Sequence, residues 1–168
     1  VVHGTLQTLQ VALEKHGPFD GVLGFSQGAN FAIMLAAQAY HGEGKPLSFV
    51  IPICPNAPGY TAQLPELFED RLPVPALVVR GAQEAYDDGI RKTLNGAAVD
   101  KMGEKVVSEH VVKLFESPEV HTHPDGHRPL PARPQDQDEL VDRIIDFVLE
   151  KSEIPPLVKG CFGAWTGK

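Results

Sequence analysis

The pentapeptide Gly24-Phe25-Ser26-Gln27-Gly28 stands between two segments of different character. Gly21-Val22-Leu23 before it is a short apolar run, and Ala29 to Ala39 after it has the composition of a helix. The order is a strand, a sharp turn with serine at its tip, and a helix. A serine held this way exposes its hydroxyl on a strained backbone, as a nucleophile requires. A side chain at position 24 or 28 is expected to collide with the neighbouring strand or helix at so tight a turn. The backbone N–H of Gln27, at the helix start, is placed to face a developing oxyanion. The pattern G-x-S-x-G arises by chance in about one chain in twenty of this length. The flanking strand and helix are what separate it from an ordinary glycine-rich turn.

A nucleophilic serine needs a base. His127 lies in His123-Pro124-Asp125-Gly126-His127-Arg128-Pro129, after a predicted short strand at Val120 to His123. A histidine on a loop after a late strand fits the chain order serine, acid, histidine. The alternatives are a solvated loop histidine and a metal site. His121, His123, Asp125 and His127 lie close in sequence, and in an extended segment 121 and 123 point the same way. No second ligand group at metal-site spacing accompanies them, so catalysis by His127 is preferred over a metal.

These residues resemble a family. Gly17-Pro18-Phe19-Asp20-Gly21-Val22-Leu23-Gly24-Phe25-Ser26-Gln27-Gly28-Ala29 is similar to the nucleophile region of the FSH-type serine hydrolases. That α/β-hydrolase family includes the ovarian tumour suppressor candidate 2 hydrolases and some fungal polyketide thioesterases. His123-Pro124-Asp125-Gly126-His127 resembles its H-P-x-G-H loop. Pro-Phe-Asp-Gly ahead of the serine strand is far more specific than the serine motif. The resemblance runs from about Thr5 to about Leu149, and it implies Ser26 as nucleophile and His127 as base.

The resemblance leaves the acid open. In the family an aspartate follows the glycine that ends the third strand here by about three residues. Glu84 stands third after Gly81, with Asp87 and Asp88 close behind. Counted back from the next helix, Asp100-Lys101-Met102 through Ser108 to Phe115 matches the family's aspartate-to-helix stretch without a gap. Residues 83–98 then read as an insertion. Asp100 is the preferred carboxylate, and Glu84 and Asp87 are the alternatives. The physical requirement is that a carboxylate reach the imidazole Nδ1–H and hold its tautomer.

With 168 residues, 42% of them hydrophobic and 22% charged, the chain has the material for one globular domain with a sizeable core. A domain over 1–150 and a tail over 151–168 are expected. The longest strongly apolar run, Phe31 to Ala37, is far short of a membrane span. A net charge of −7 with scattered Lys and Arg argues against nucleic acid. Cys54 and Cys161 are few and far apart, Cys54 as a small hydrophobe ending a strand; a reducing, cytoplasmic setting is the default. No cofactor is implied.

Helix and strand alternate along the chain. A helix is predicted over Thr5 to Lys15, with Leu6, Leu9 and Leu13 on one face and Gly17 as its stop. Strands follow at Gly21 to Phe25, Phe49 to Cys54, Ala76 to Arg80 and Val120 to His123. Helices are predicted over Gln27 to Tyr40, Thr61 to Glu69, Lys105 to Phe115 and Asp136 to Glu150. Asp136 is the expected cap of the last, with Leu140, Ile144 and Phe147-Val148 facing the core. The Pro- and Gly-rich stretch Asn56 to Arg71 is placed to cover a substrate.

The chain therefore reads as α/β, the C-terminal portion of an α/β-hydrolase with a mainly parallel sheet of about four strands flanked by helices. Only 25 residues precede Ser26. The expectation is that an N-terminal part is missing, that the Ser26 strand has an open edge, and that a further segment or partner chain completes the sheet and the oxyanion hole. Two function classes follow: a serine hydrolase of small carboxylic esters or thioesters, or a catalytically inactive hydrolase-fold fragment serving as a structural or binding subunit.

Overall fold

A computed structural model describes residues 2–55, 64–83 and 110–159. Helix α1 (Val2–His16) leads into β1 (Gly21–Phe25), α2 (Gln27–Tyr40) and β2 (Phe49–Ile53). A 3₁₀ turn at Pro65–Phe68 precedes β3 (Leu77–Gly81), β4 (Glu119–His123) and the final helix α3 (Pro134–Ser152). The strands form one four-stranded sheet in the order β1-β2-β3-β4, and every pairing is parallel. Each predicted strand is present, with ends shifted by a residue at most. Among the described residues β1 pairs only with β2, so it is an edge strand.

Period-two alternation sorts the strand residues onto two faces. Val50, Ala76 and Val78 pack with α1, α2 and the segment around Val111 and Phe115. Phe49, Ile51, Ile53, Leu77 and Val79 pack with Leu140 and Phe147 of α3. Strands apolar on both faces are what a sheet covered on both sides needs, and this is why β2 reads as an unbroken apolar run. The crossover segments on one face let the strands follow one another in sequence order, as connections of a single hand require. Helix α2 lies deep against the sheet, with Phe31 and Met34 buried as expected from its composition.

Pro52 interrupts the β2–β3 ladder. Val50 N–H donates to Pro75 O (3.0 Å) and Cys54 N–H to Val79 O (2.8 Å). The donor between them in that row is the one a proline lacks. The strand tolerates the gap because bonds on either side, and two buried faces, fix its register.

Three expectations are corrected. Asp136 does not cap α3: Arg133 occupies the N-cap, Pro134 opens the first turn, and no side chain caps the helix. Proline suits that position because its missing N–H has no helical partner to lose. Asp136 instead pairs with the Arg133 guanidinium at 2.6 Å. The helix predicted over Lys105 to Phe115 is helical at 110–113, while Phe115 already bridges to Leu72. The one predicted over Thr61 to Glu69 is the shorter 3₁₀ turn, with 56–63 outside the described residues.

The α3 face is anchored by Leu140 and Phe147, both fully buried, the latter with its ring edge-on to Phe49 at 5.8 Å. Phe147→Ala is expected to cost about 3–5 kcal/mol in urea unfolding. Leu149→Ala, on the exposed side of the same helix, should change stability by less than about 0.5 kcal/mol.

Candidate active site

Ser26 occupies the single position between β1 and α2, with φ 55° and ψ −118°. A non-glycine residue held there costs about 1–3 kcal/mol. Hydrogen bonds on both sides hold it. Ser26 N–H donates to Ile53 O (2.9 Å), while Ser26 O accepts from Ala29 N–H (3.1 Å) and Asn30 N–H (3.4 Å). The turn is therefore tied to β2 on one side and to the first turn of α2 on the other. Gln27 opens α2, in the first turn, where the backbone N–H groups point outward along the helix axis.

The two glycines of the motif differ. A Cβ on Gly24 would sit 2.2 Å from the Gly28 carbonyl oxygen and 2.8 Å from Ala29 N, so the backbone of α2 presses directly on Gly24. A Cβ on Gly28 would meet nothing within 4 Å. The expected collision at position 28 is absent: the close approach is made by Gly28's backbone, and its missing side chain points into open space.

His127 comes to Ser26 from the loop after β4. Its Nε2 lies 2.8 Å from Ser26 Oγ, and its ring packs 5.1 Å from that of Phe25, tilted by 37°. The loop is fixed by backbone contacts with the loop after β3. Ala82 N–H donates to His123 O (2.8 Å) and Gln83 N–H to Asp125 O (3.0 Å). A Cβ on Gly81 would lie 2.3 Å from Gly126 O, and one on Gly126 would lie 2.9 Å from Gln83 O. Two glycines thus let two loops touch, and that contact delivers the imidazole.

The other histidine-segment residues go elsewhere. The Asp125 carboxylate accepts from Ala132 N–H. His123 is buried with Nε2 3.9 Å from Cys54 Sγ. Among the described residues no group of three or more His, Cys, Asp or Glu is arranged to hold a metal ion. Asp100, Glu84 and Asp87 lie outside the described residues. Sequence reasoning missed the Phe25–His127 stack and the Gly81–Gly126 contact. The glycine in H-P-D-G-H carried a signal for the latter, but its partner across the sheet carried none.

The serine hydrolase (FSH1) family matches residues 2–140. The chain belongs to that family. Esterase FPY3 of Fusarium mangiferae is 50% identical over 46 residues, 27% of this chain and 21% of that protein. Esterase OVCA2 of Bos taurus is 40% identical over 78 residues, covering 45% of this chain and 34% of that protein. The chain therefore spans a minor part of the length of these relatives. Acyl-protein thioesterase 2 of Zea mays superposes over 88% of this chain and 64% of its own with a TM-score of 0.54 at 18% identity. That likeness is one of fold, and with the parallel sheet and flanking helices it makes this an α/β-hydrolase fold. No described helix is long and apolar enough to cross a membrane.

The contrast between the two glycines is testable by chemical unfolding. Gly24→Ala is expected to lose more than about 3 kcal/mol, because neither backbone can yield. Gly28→Ala should gain up to about 1 kcal/mol from improved helix propensity.

Proposed function

We propose that this protein is a serine hydrolase cleaving carboxylic esters or thioesters through an acyl-enzyme. The observation that carries this is the 2.8 Å approach of His127 Nε2 to Ser26 Oγ, across 101 residues of sequence, at a strained turn. Membership of the FSH1 family and the esterase names of the relatives support it.

In this mechanism Ser26 Oγ attacks the acyl carbon while His127 Nε2 takes its proton. The Gln27 N–H, at the start of α2, is one donor to the oxyanion of the tetrahedral intermediate. His127 returns the proton to the departing alcohol or thiol, leaving an ester on Ser26. Water, deprotonated by the same imidazole, then releases the acid. Asp100 is the proposed carboxylate at His127 Nδ1, with Glu84 and Asp87 as alternatives.

A fluorophosphonate probe should label the full-length protein at Ser26, and Ser26→Ala should abolish both labelling and hydrolysis of p-nitrophenyl esters. Activity of Ser26→Ala within tenfold of the parent would sink the proposal; a parent that neither labels nor turns over would favour the non-catalytic subunit. His127→Ala is expected to lower kcat by about 10³ or more, and His121→Ala far less.

Replacing the acid separates the three carboxylates. Asp100→Asn should lower kcat by about 10³ with the protein folded, whereas Glu84→Gln and Asp87→Asn should remain near the parent. The reverse pattern would move the acid into 84–87.

A further inference from the structure

Cys54 stands where the nucleophile and the base are joined through the sheet. It follows β2 directly, is fully buried, and has φ 46°. That backbone costs a side-chain-bearing residue about 1–3 kcal/mol and would be cheaper for glycine. Filling space with a small apolar group does not require such a conformation, so the thiol has a more specific task.

Its contacts indicate the task. Cys54 Sγ–H donates to Arg128 O at 3.4 Å, the carbonyl of the residue after His127. His123 Nε2 lies 3.9 Å from the same sulfur. His123 is 1% exposed, and its Nδ1 has no hydrogen-bond partner among the described residues. With the thiol proton committed to Arg128 O, the sulfur lone pair faces the ring. The matching tautomer carries its proton on Nε2 and leaves a lone pair on Nδ1. On the other side of Cys54, Ile53 O accepts from Ser26 N–H at 2.9 Å. One residue pair thus links the backbone that holds the serine to the backbone that holds the histidine.

We infer that Cys54 and His123 are positioning residues: the Cys54 thiol holds the Arg128 carbonyl, the His123 ring backs the sulfur, and together they set the distance of the adjacent His127 imidazole from Ser26. This rests on the hydrolase proposal above, since the distance matters only if His127 serves Ser26. A displacement of about 1 Å at such a site can cost about a hundredfold in rate. The pair touches neither substrate nor reacting atoms, so its signature lies in kcat rather than KM.

The test compares Cys54→Gly, Cys54→Ser and His123→Leu in the full-length protein. Glycine removes the thiol while relieving the backbone, and serine keeps a donor. The readouts are the second-order rate constant for fluorophosphonate labelling, and kcat and KM for a p-nitrophenyl ester per titrated site. Cys54→Gly and His123→Leu should each lower the labelling rate and kcat by about tenfold or more, with KM within about threefold. Cys54→Ser should recover most of the loss. The double variant should be no slower than the slower single one, because the two act as a unit. A parent that labels at Ser26, with Cys54→Gly labelled at the parent's rate, overturns this inference alone. So does Cys54→Ser as slow as Cys54→Gly. A parent that does not label at Ser26 overturns the hydrolase proposal and this inference with it.

Discussion

The backbone of Ser26 is the constraint around which the rest is arranged. A residue at φ 55° and ψ −118° does not stay there unaided. Its N–H is bonded to β2, its carbonyl to the first turn of α2, and α2 sits so close that only glycine fits at position 24. Each restraint depends on a larger element. The bond to Ile53 O needs β2 in register beside β1, and the packing of α2 on the sheet needs its apolar face. The strain at one residue is therefore supported by two strands, a helix and the core between them.

His127 is delivered by a different device. Nothing in β4 itself points an imidazole at Ser26; the strand ends four residues short of His127. Hydrogen bonds from Ala82 and Gln83, the paired glycines 81 and 126, the carboxylate of Asp125 on Ala132 N–H and the thiol of Cys54 on Arg128 O hold the loop from several sides. Such redundancy suits a group that must be held within a fraction of an ångström of its partner. It also explains how a side chain on an exposed loop can be as well placed as one on a strand.

Local signals made much of this legible. The order strand, serine, helix is written in consecutive residues, and the first three strands announce themselves as apolar runs between breakers. His127 was accessible because histidine, proline and glycine occur together after the last strand. What sequence did not carry were relations between distant residues. That Gly24 is crowded and Gly28 is not depends on how α2 tilts over β1. That Arg133 rather than Asp136 precedes the first turn of α3 depends on Pro134 starting the helix earlier than the polar spacing suggests. The left-handed backbone of Cys54 has no local marker at all, since glycine or asparagine would ordinarily occupy it. Asp100 was located by counting along a resemblance, and it lies outside the described residues.

The contact between the loops after β3 and β4 has a mechanical consequence. Ala82 and Gln83 are pinned to the histidine loop before the chain continues into 84–109. A change of length within 84–109 enters the chain beyond that clamp. Loop length itself adds little to the free energy of closure. The 2.8 Å approach of His127 to Ser26 is thus set by contacts on the near side of that clamp, whatever the length of the stretch beyond it.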